Sequence, residues 1–225
     1  MKVILFGATG MVGQGALREC LLDPEVERVL AVGRSASGQQ HPKLVELVHA
    51  NLHELEAVAA SLKGYDACLF CLGVSSSGMT EEAYRRVTYD IALAAARTLV
   101  EKNAGMTFIF VSGAGTDGTE QSKTMWARVK GQTENAIAKL PFKESFMFRP
   151  GVIQPLHGIK SKTASYRVLY TLMWPVMPLL RVLLPKLVTT TERVGRAMLE
   201  VVKHGAPKQV LENSDINQIA IPLLR

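Results

Sequence analysis

Short apolar runs alternate along the chain with stretches whose apolar residues recur every three to four positions. The runs at 2–6, 28–33, 44–48, 66–72, 106–112, 145–149 and 208–211 have the length and the Val, Ile, Leu and Phe content of strands. The longer period marks 11–22, 52–62, 80–103, 123–139 and 191–204 as helices. In the third of these, Val87, Ile91, Ala94 and Leu99 share a face, and Thr80 ahead of Glu81 and Glu82 reads as an N-cap followed by an acidic first turn. Asp23-Pro24 stops the first helix, and Gly105 is the expected stop of the third. Strand and helix alternate almost to the end, which predicts an α/β fold: a doubly wound parallel sheet with helices on both faces. The runs at 66–72 and 106–111 are apolar throughout, as strands covered on both sides must be.

The alternation breaks from about 155 to 188. Tyr166, Tyr170, Trp174 and many Leu, Val and Met residues crowd this segment. Its length approaches a membrane span. Arg167, Arg181 and Lys186 interrupt it, however, and Pro175, Pro178 and Pro185 break a continuous helix. The expectation is a small helical C-terminal cap over 155–190, placed on the substrate side or in a homodimer contact. Its apolar face over 166–188, flanked by basic residues, also suits peripheral contact with a membrane or a protein partner.

Composition narrows the field. The length, 225 residues, suits one domain over 1–225 with a sizeable core. The net charge of +6 favours an anionic ligand. No basic block stands out and the aromatics are not interleaved with basic residues, so nucleic-acid binding is not the expected role. Three cysteines make no disulfide framework, which points to a reducing compartment and a cytoplasmic protein. The apolar run at 1–6 is too short for a signal peptide. Cys68 and Cys71 lie three apart in a strand and so point to opposite faces; with no second pair, no metal site is expected.

The first strand-to-helix junction carries the chemistry. Lys2-Val-Ile-Leu-Phe6 runs into Gly7-Ala-Thr-Gly10-Met-Val-Gly13 and then into the first helix. Strand, glycine turn and helix form the setting of a dinucleotide-phosphate site. Gly7 permits a tight turn, Gly10 lets the backbone approach a pyrophosphate, and Gly13 lets the helix lie close to the strand. The helix N-terminus then presents free N–H groups and a partial positive charge to the anion, which makes Thr9, Gly10, Met11 and Val12 expected contacts. The second strand ends in Gly33-Arg34-Ser35. An NAD site places an acid near here for the ribose 2′-hydroxyl, whereas Arg34, helped by Ser35, suits a 2′-phosphate; the expected coenzyme is NADP(H), with NADPH its reduced form.

Ligands of doubly wound sheets lie at the carboxyl ends of strands. That rule adds Asn51 and Leu52 beside the adenine, Cys71, Leu72 and Gly73 beside the ribose and pyrophosphate, and Pro150, Gly151 and Val152 beside the nicotinamide. Thr116, Asp117 and Glu120, in a glycine-rich loop, are candidates for a substrate contact. Ser75 lacks the second glycine of a hydrolase elbow, and no P-loop sequence occurs.

Phe6-Gly-Ala-Thr-Gly-Met-Val-Gly13, Gly33-Arg34, Cys71-Leu-Gly73, Val129-Lys-Gly131, Phe148-Arg-Pro-Gly-Val152 and Leu211-Glu-Asn213 resemble the atypical branch of the short-chain dehydrogenase/reductase superfamily. Within it, the chain is similar to the HIV Tat-interacting oxidoreductase-like proteins. The resemblance implies a serine that orients a substrate carbonyl, a tyrosine that moves the proton, and a lysine four residues later that binds the nicotinamide ribose. Ser112 and Lys130 match the serine and the lysine. Trp126 stands at the tyrosine position, and an indole N–H donates but does not ionise in this range. Two readings stay open. One is a reductase of a carbonyl or enone on a small apolar substrate, its proton supplied by Ser112, by a water on Lys130, or by Tyr166 or Tyr170. The other is a non-catalytic, redox-responsive module that binds NADP(H) and a partner.

Overall fold

The computed structural model describes residues 1–159, 184 and 186–221. Its main strands are β1 (Lys2–Phe6), β2 (Arg28–Gly33), β3 (Leu44–Val48), β4 (Ala67–Phe70), β5 (Thr107–Val111) and β6 (Glu144–Arg149). Three short ones follow: β7 (Val152–Gln154), β8 (Val188–Thr190) and β9 (Val210–Glu212). Seven strands form one parallel sheet in the order β3-β2-β1-β4-β5-β6-β9, and β7 pairs with β8 separately, also in parallel. The helices are α1 (Met11–Leu22), α2 (Glu81–Arg85), α3 (Ile91–Lys102), α4 (Met125–Ala138), α5 (Thr191–His204) and α6 (Asn213–Ile219). The doubly wound, Rossmann-like α/β sheet read from the alternation is the fold observed.

Both faces of the sheet are buried, which explains the unbroken apolar runs. Val3, Leu5, Val29, Ala31, Leu69 and Ile109 pack on one side with residues of α1, α5 and α6. Ile4, Phe6, Leu30, Val32, Phe70 and Phe108 pack on the other with α3 and Ile137 of α4. Cys68 belongs to this second cluster and Cys71 packs against the first, the opposite-face arrangement expected of the pair.

The helix expected at 52–62 is a 3₁₀ segment (Glu56–Leu62), anchored by the buried Leu55, Ala59 and Leu62. The one expected at 80–103 begins as foreseen: the Thr80 hydroxyl accepts the Ala83 N–H at 3.2 Å. A wider π turn (Arg86–Asp90) then separates α2 from α3. Asn103, not Gly105, ends the run. Its buried amide accepts the N–H groups of Gly64 (2.7 Å) and Tyr65 (3.0 Å) and donates to the carbonyls of Leu62 (2.9 Å) and Leu99 (3.1 Å).

α1 and α5 meet through glycines. A Cβ on Gly15 would sit 2.5 Å from the Thr191 carbonyl oxygen, and one on Gly195 would sit 2.9 Å from that of Gly15. The expected cap over 155–190, with Tyr166 and Tyr170, falls largely outside the described residues. Among the described residues no helix is long and apolar enough to cross a membrane.

Candidate functional site

The strand order reverses between β1 and β4, and a cleft of about 1020 Å³ opens at the carboxyl ends of the sheet. Gly7, Thr9, Gly10, Met11 and Val12 line it. Gly7 turns the chain at φ +82°, and a Cβ there would meet the Leu72 backbone nitrogen at 2.7 Å. Only glycine fits, because φ is positive and a neighbouring backbone fills the space. Gly13 lies behind the cleft wall: its Cβ would fall 2.0 Å from the Gly7 carbonyl oxygen. A Cβ on Gly10 would meet nothing nearer than 3.4 Å, so this residue leaves open room at the turn rather than tight packing. Gly10 is the N-cap of α1 and gives it no side-chain hydrogen bond, and the first turn carries no acid. Orphan N–H groups facing a cleft, with no carboxylate to satisfy them, fit a pyrophosphate.

Arg34, Ser35, Ser37 and Glu46 line the end of the cleft nearest β2 and β3. The Glu46 carboxylate accepts the Ser37 N–H at 2.5 Å and so ties the loop after β2 to β3. Asn51 and Leu52, expected beside the adenine, do not line the cleft. β3 ends at Val48, and the chain then folds back. The His49 ring bonds the Glu54 carbonyl at 2.8 Å, the Asn51 side chain caps its own turn through the His53 N–H (3.1 Å), and Leu52 drops into the core. Strand length, not residue type, places both outside the cleft lining.

Cys71, Leu72 and Gly73 border the middle of the cleft, and Pro150, Gly151 and Val152 border it after β6. Burial raises the Cys71 and Cys68 thiols well above their ordinary range, so neither is a reactive thiolate. Ser112, Trp126 and Lys130 line the same cavity, because residues 126 and 130 share a face of α4. Lys130 Nζ donates to the Ser112 carbonyl. Loss of water pulls its pKa down to about 8, against an opposing push from Glu134.

Two residues of this region were not singled out from sequence. Tyr84, fully buried on α2, lines the cleft; its spacing to Val87 and Ile91 was the available signal. Glu134, only 3% exposed, accepts the Ser112 hydroxyl proton and pairs with Arg149 (Nε to Oε1, 3.0 Å). Arg149 also reaches Glu212 at 3.1 Å, and the Asn213 side chain accepts the Gly151 N–H at 2.8 Å. Arg149-Pro-Gly151 and Leu211-Glu-Asn213 are therefore two halves of one clamp on the turn after β6. An acid four residues beyond Lys130, on a buried helix face, needs a cation, and this was the legible clue.

Thr116, Asp117 and Glu120 lie outside the cleft lining and build the loop before α4. Asp117 accepts the N–H groups of Thr119, Gln121 and Ser122, and these bonds with the Thr119 hydroxyl lower its pKa. Thr116 bonds the Gly113 carbonyl at 2.7 Å, and Glu120 accepts from Asn135 at 2.7 Å.

The family model described as NAD(P)H-binding matches residues 7–140, more than half of the chain. The chain belongs to this NAD(P)H-binding family. Its relatives bear out the resemblance seen in the sequence. "Protein HTATIP2" of Rattus norvegicus is 27% identical over 154 residues, covering 68% of this chain and 62% of that protein. "Protein fmp52-2, mitochondrial" of Aspergillus oryzae is 28% identical over 152 residues, 66% of each chain. The chain thus spans just under two thirds of the length of these curated relatives. Solved structures share the family's fold. A Saccharomyces cerevisiae short-chain dehydrogenase/reductase superposes with a TM-score of 0.62 at 16% identity, over 95% of this chain and 96% of that one. The Bordetella bronchiseptica enzyme WbmF, in complex with NAD+ and UDP, gives 0.67 at 15% identity, over 96% and 75%.

Proposed function

We propose that the chain is an NADP(H)-dependent oxidoreductase that reduces a carbonyl or enone of a small apolar substrate. The observation that carries this reading is that the glycine turn, Arg34, Ser112 and Lys130 all line one cleft. When bound, the nicotinamide supplies or takes a hydride. The chain's own residues do the rest. Arg34 and Ser35 hold the 2′-phosphate, Met11 and Val12 offer N–H groups to the pyrophosphate, and Lys130 holds the nicotinamide ribose. Val152, Ile153 and Leu187 give the far wall an apolar lining that suits an apolar substrate. Ser112 already spends its proton on Glu134, so it accepts rather than donates toward the cleft. A water on Lys130, or Tyr166 or Tyr170 from the segment outside the described residues, is then the proton source. Free, buried or half-buried cysteines fit a reducing compartment, and we place the protein in the cytoplasm.

Trp126 favours a second reading, an NADP(H)-binding module without turnover, since no phenol stands at that position. NADPH consumption against a panel of aldehydes, quinones and enones separates the two. The reductase reading expects slow turnover that Trp126→Tyr raises at least about tenfold, because a placed general acid contributes roughly 10²–10⁴. Tight NADPH binding with background turnover in both proteins would leave the module as the function. Binding of neither coenzyme would end both readings.

A further inference from the structure

Glu134 is an acid buried where the site itself offers no use for it. It stands one helical turn beyond Lys130 on α4, behind Ser112, with its carboxylate taken up by the Ser112 hydroxyl and the Arg149 guanidinium. A buried carboxylate costs free energy unless it is paired, and Arg149 alone would satisfy that need. The extra contact to Ser112 does something further. A serine has one proton to give, and here it points away from the cleft. Four residues apart on α4, the two side chains fall on one helix face, and the carboxylate favours the ammonium form of Lys130 against burial.

We propose that Glu134 is a positioning residue of the site: it turns the Ser112 hydroxyl inward and keeps Lys130 charged, so that the cleft meets a bound hydroxyl with Ser112 as acceptor and Lys130 as donor. The proposal rests on the coenzyme reading given above but is tested separately from it. Among the described residues, the groups around Lys130 are few. Glu134 lies on its own helix, Arg149 approaches from β6 on the far side of Glu134, and Cys71 and Tyr84 line the cleft from the β4 end and α2. Burial keeps the Cys71 thiol neutral. Among the described residues, Glu134 is the charge that acts on Lys130.

The test is a titration of the Lys130 side chain by lysine ε-¹³C NMR in ligand-free protein, with Lys130→Met to assign the resonance. The wild-type midpoint is expected near 8. Glu134→Gln keeps the shape and leaves Arg149 its contact to Glu212. It should lower the midpoint by about one unit, as loss of a neighbouring opposite charge does. Glu134→Asp, which keeps the charge, should stay nearer to the wild type than to the Gln variant. Calorimetry with NADPH then gives the pH profile. Affinity of the Gln variant should fall up to about threefold below wild type near pH 7.5, and the gap should close near pH 6, where Lys130 is charged in both. A Gln variant that is folded by circular dichroism and titrates at the wild-type midpoint overturns the proposal. So does an Asp variant that drops as far as the Gln variant, whatever the stability of either. If the midpoint moves as stated but wild-type protein binds neither NADPH nor NADH, the role of Glu134 stands and the coenzyme reading falls.

Discussion

Gly13→Ala is expected to cost the protein about 3 kcal/mol, the upper end of overpacking, and to lower its melting temperature by roughly 6–12 °C. The added methyl would fall 2.0 Å from the Gly7 carbonyl oxygen and 2.7 Å from the Gly7 carbonyl carbon. Both are backbone atoms of the turn, so no side chain can swing aside to make room. α1 must move off β1, and the N–H groups at its start move with it. Coenzyme affinity should therefore fall along with stability. Gly10→Ala is the control. Its methyl would approach nothing closer than 3.4 Å, so thermal melting should show a change of under about 3 °C. A loss of NADPH affinity should nonetheless appear, because the methyl takes up room at the turn. If Gly13→Ala melts with the wild type, α1 does not press on the turn as the geometry requires.

Arg34→Asp should weaken NADPH binding by at least about 100-fold and leave NADH within about threefold. A charge-assisted contact to a phosphate contributes roughly 1.5–3 kcal/mol, or about ten- to a hundredfold, and the reversed charge adds repulsion. Arg34 is exposed at the cleft edge beside Ser35, Ser37 and Glu46, so the new carboxylate would join one already there. Isothermal titration with both coenzymes checks it. Equal losses for the two would remove the argument for a 2′-phosphate at this end of the cleft.

Much of this was legible in the sequence. Strands that are buried on both faces must be apolar at every position, so β1, β2, β4 and β5 announced themselves. Gly7 and Gly13 were legible because sterics leave a single residue type at each. The family resemblance singled out Trp126 and Lys130, and helical spacing put them on one face. What stayed hidden depended on where the chain goes next. Asn51 and Leu52 fall outside the cleft lining because β3 stops at Val48 and the turn that follows leaves Asn51 exposed and sends Leu52 into the core. β7 and β8 are three residues each, too short to show a period, and they pair across some thirty-five positions. Glu134 was hidden because its partner, Arg149, arrives from another strand.

The crossing of α1 and α5 also sets the order in which the polypeptide becomes itself. Arg196 grips Glu19 at 3.1 Å across 177 positions of chain, and Gly15 and Gly195 seat the two helices backbone to backbone. On the ribosome, the nucleotide-binding half must wait, one flank wet, until the last third has been translated, a long-range closure that makes for slow maturation. A gene fragment cut at codon 140, where the family match ends, would lack β6, β9, α5 and α6, and with them part of the cover over Val3 and Leu5. It should emerge as an aggregating stub, not as a transplantable half.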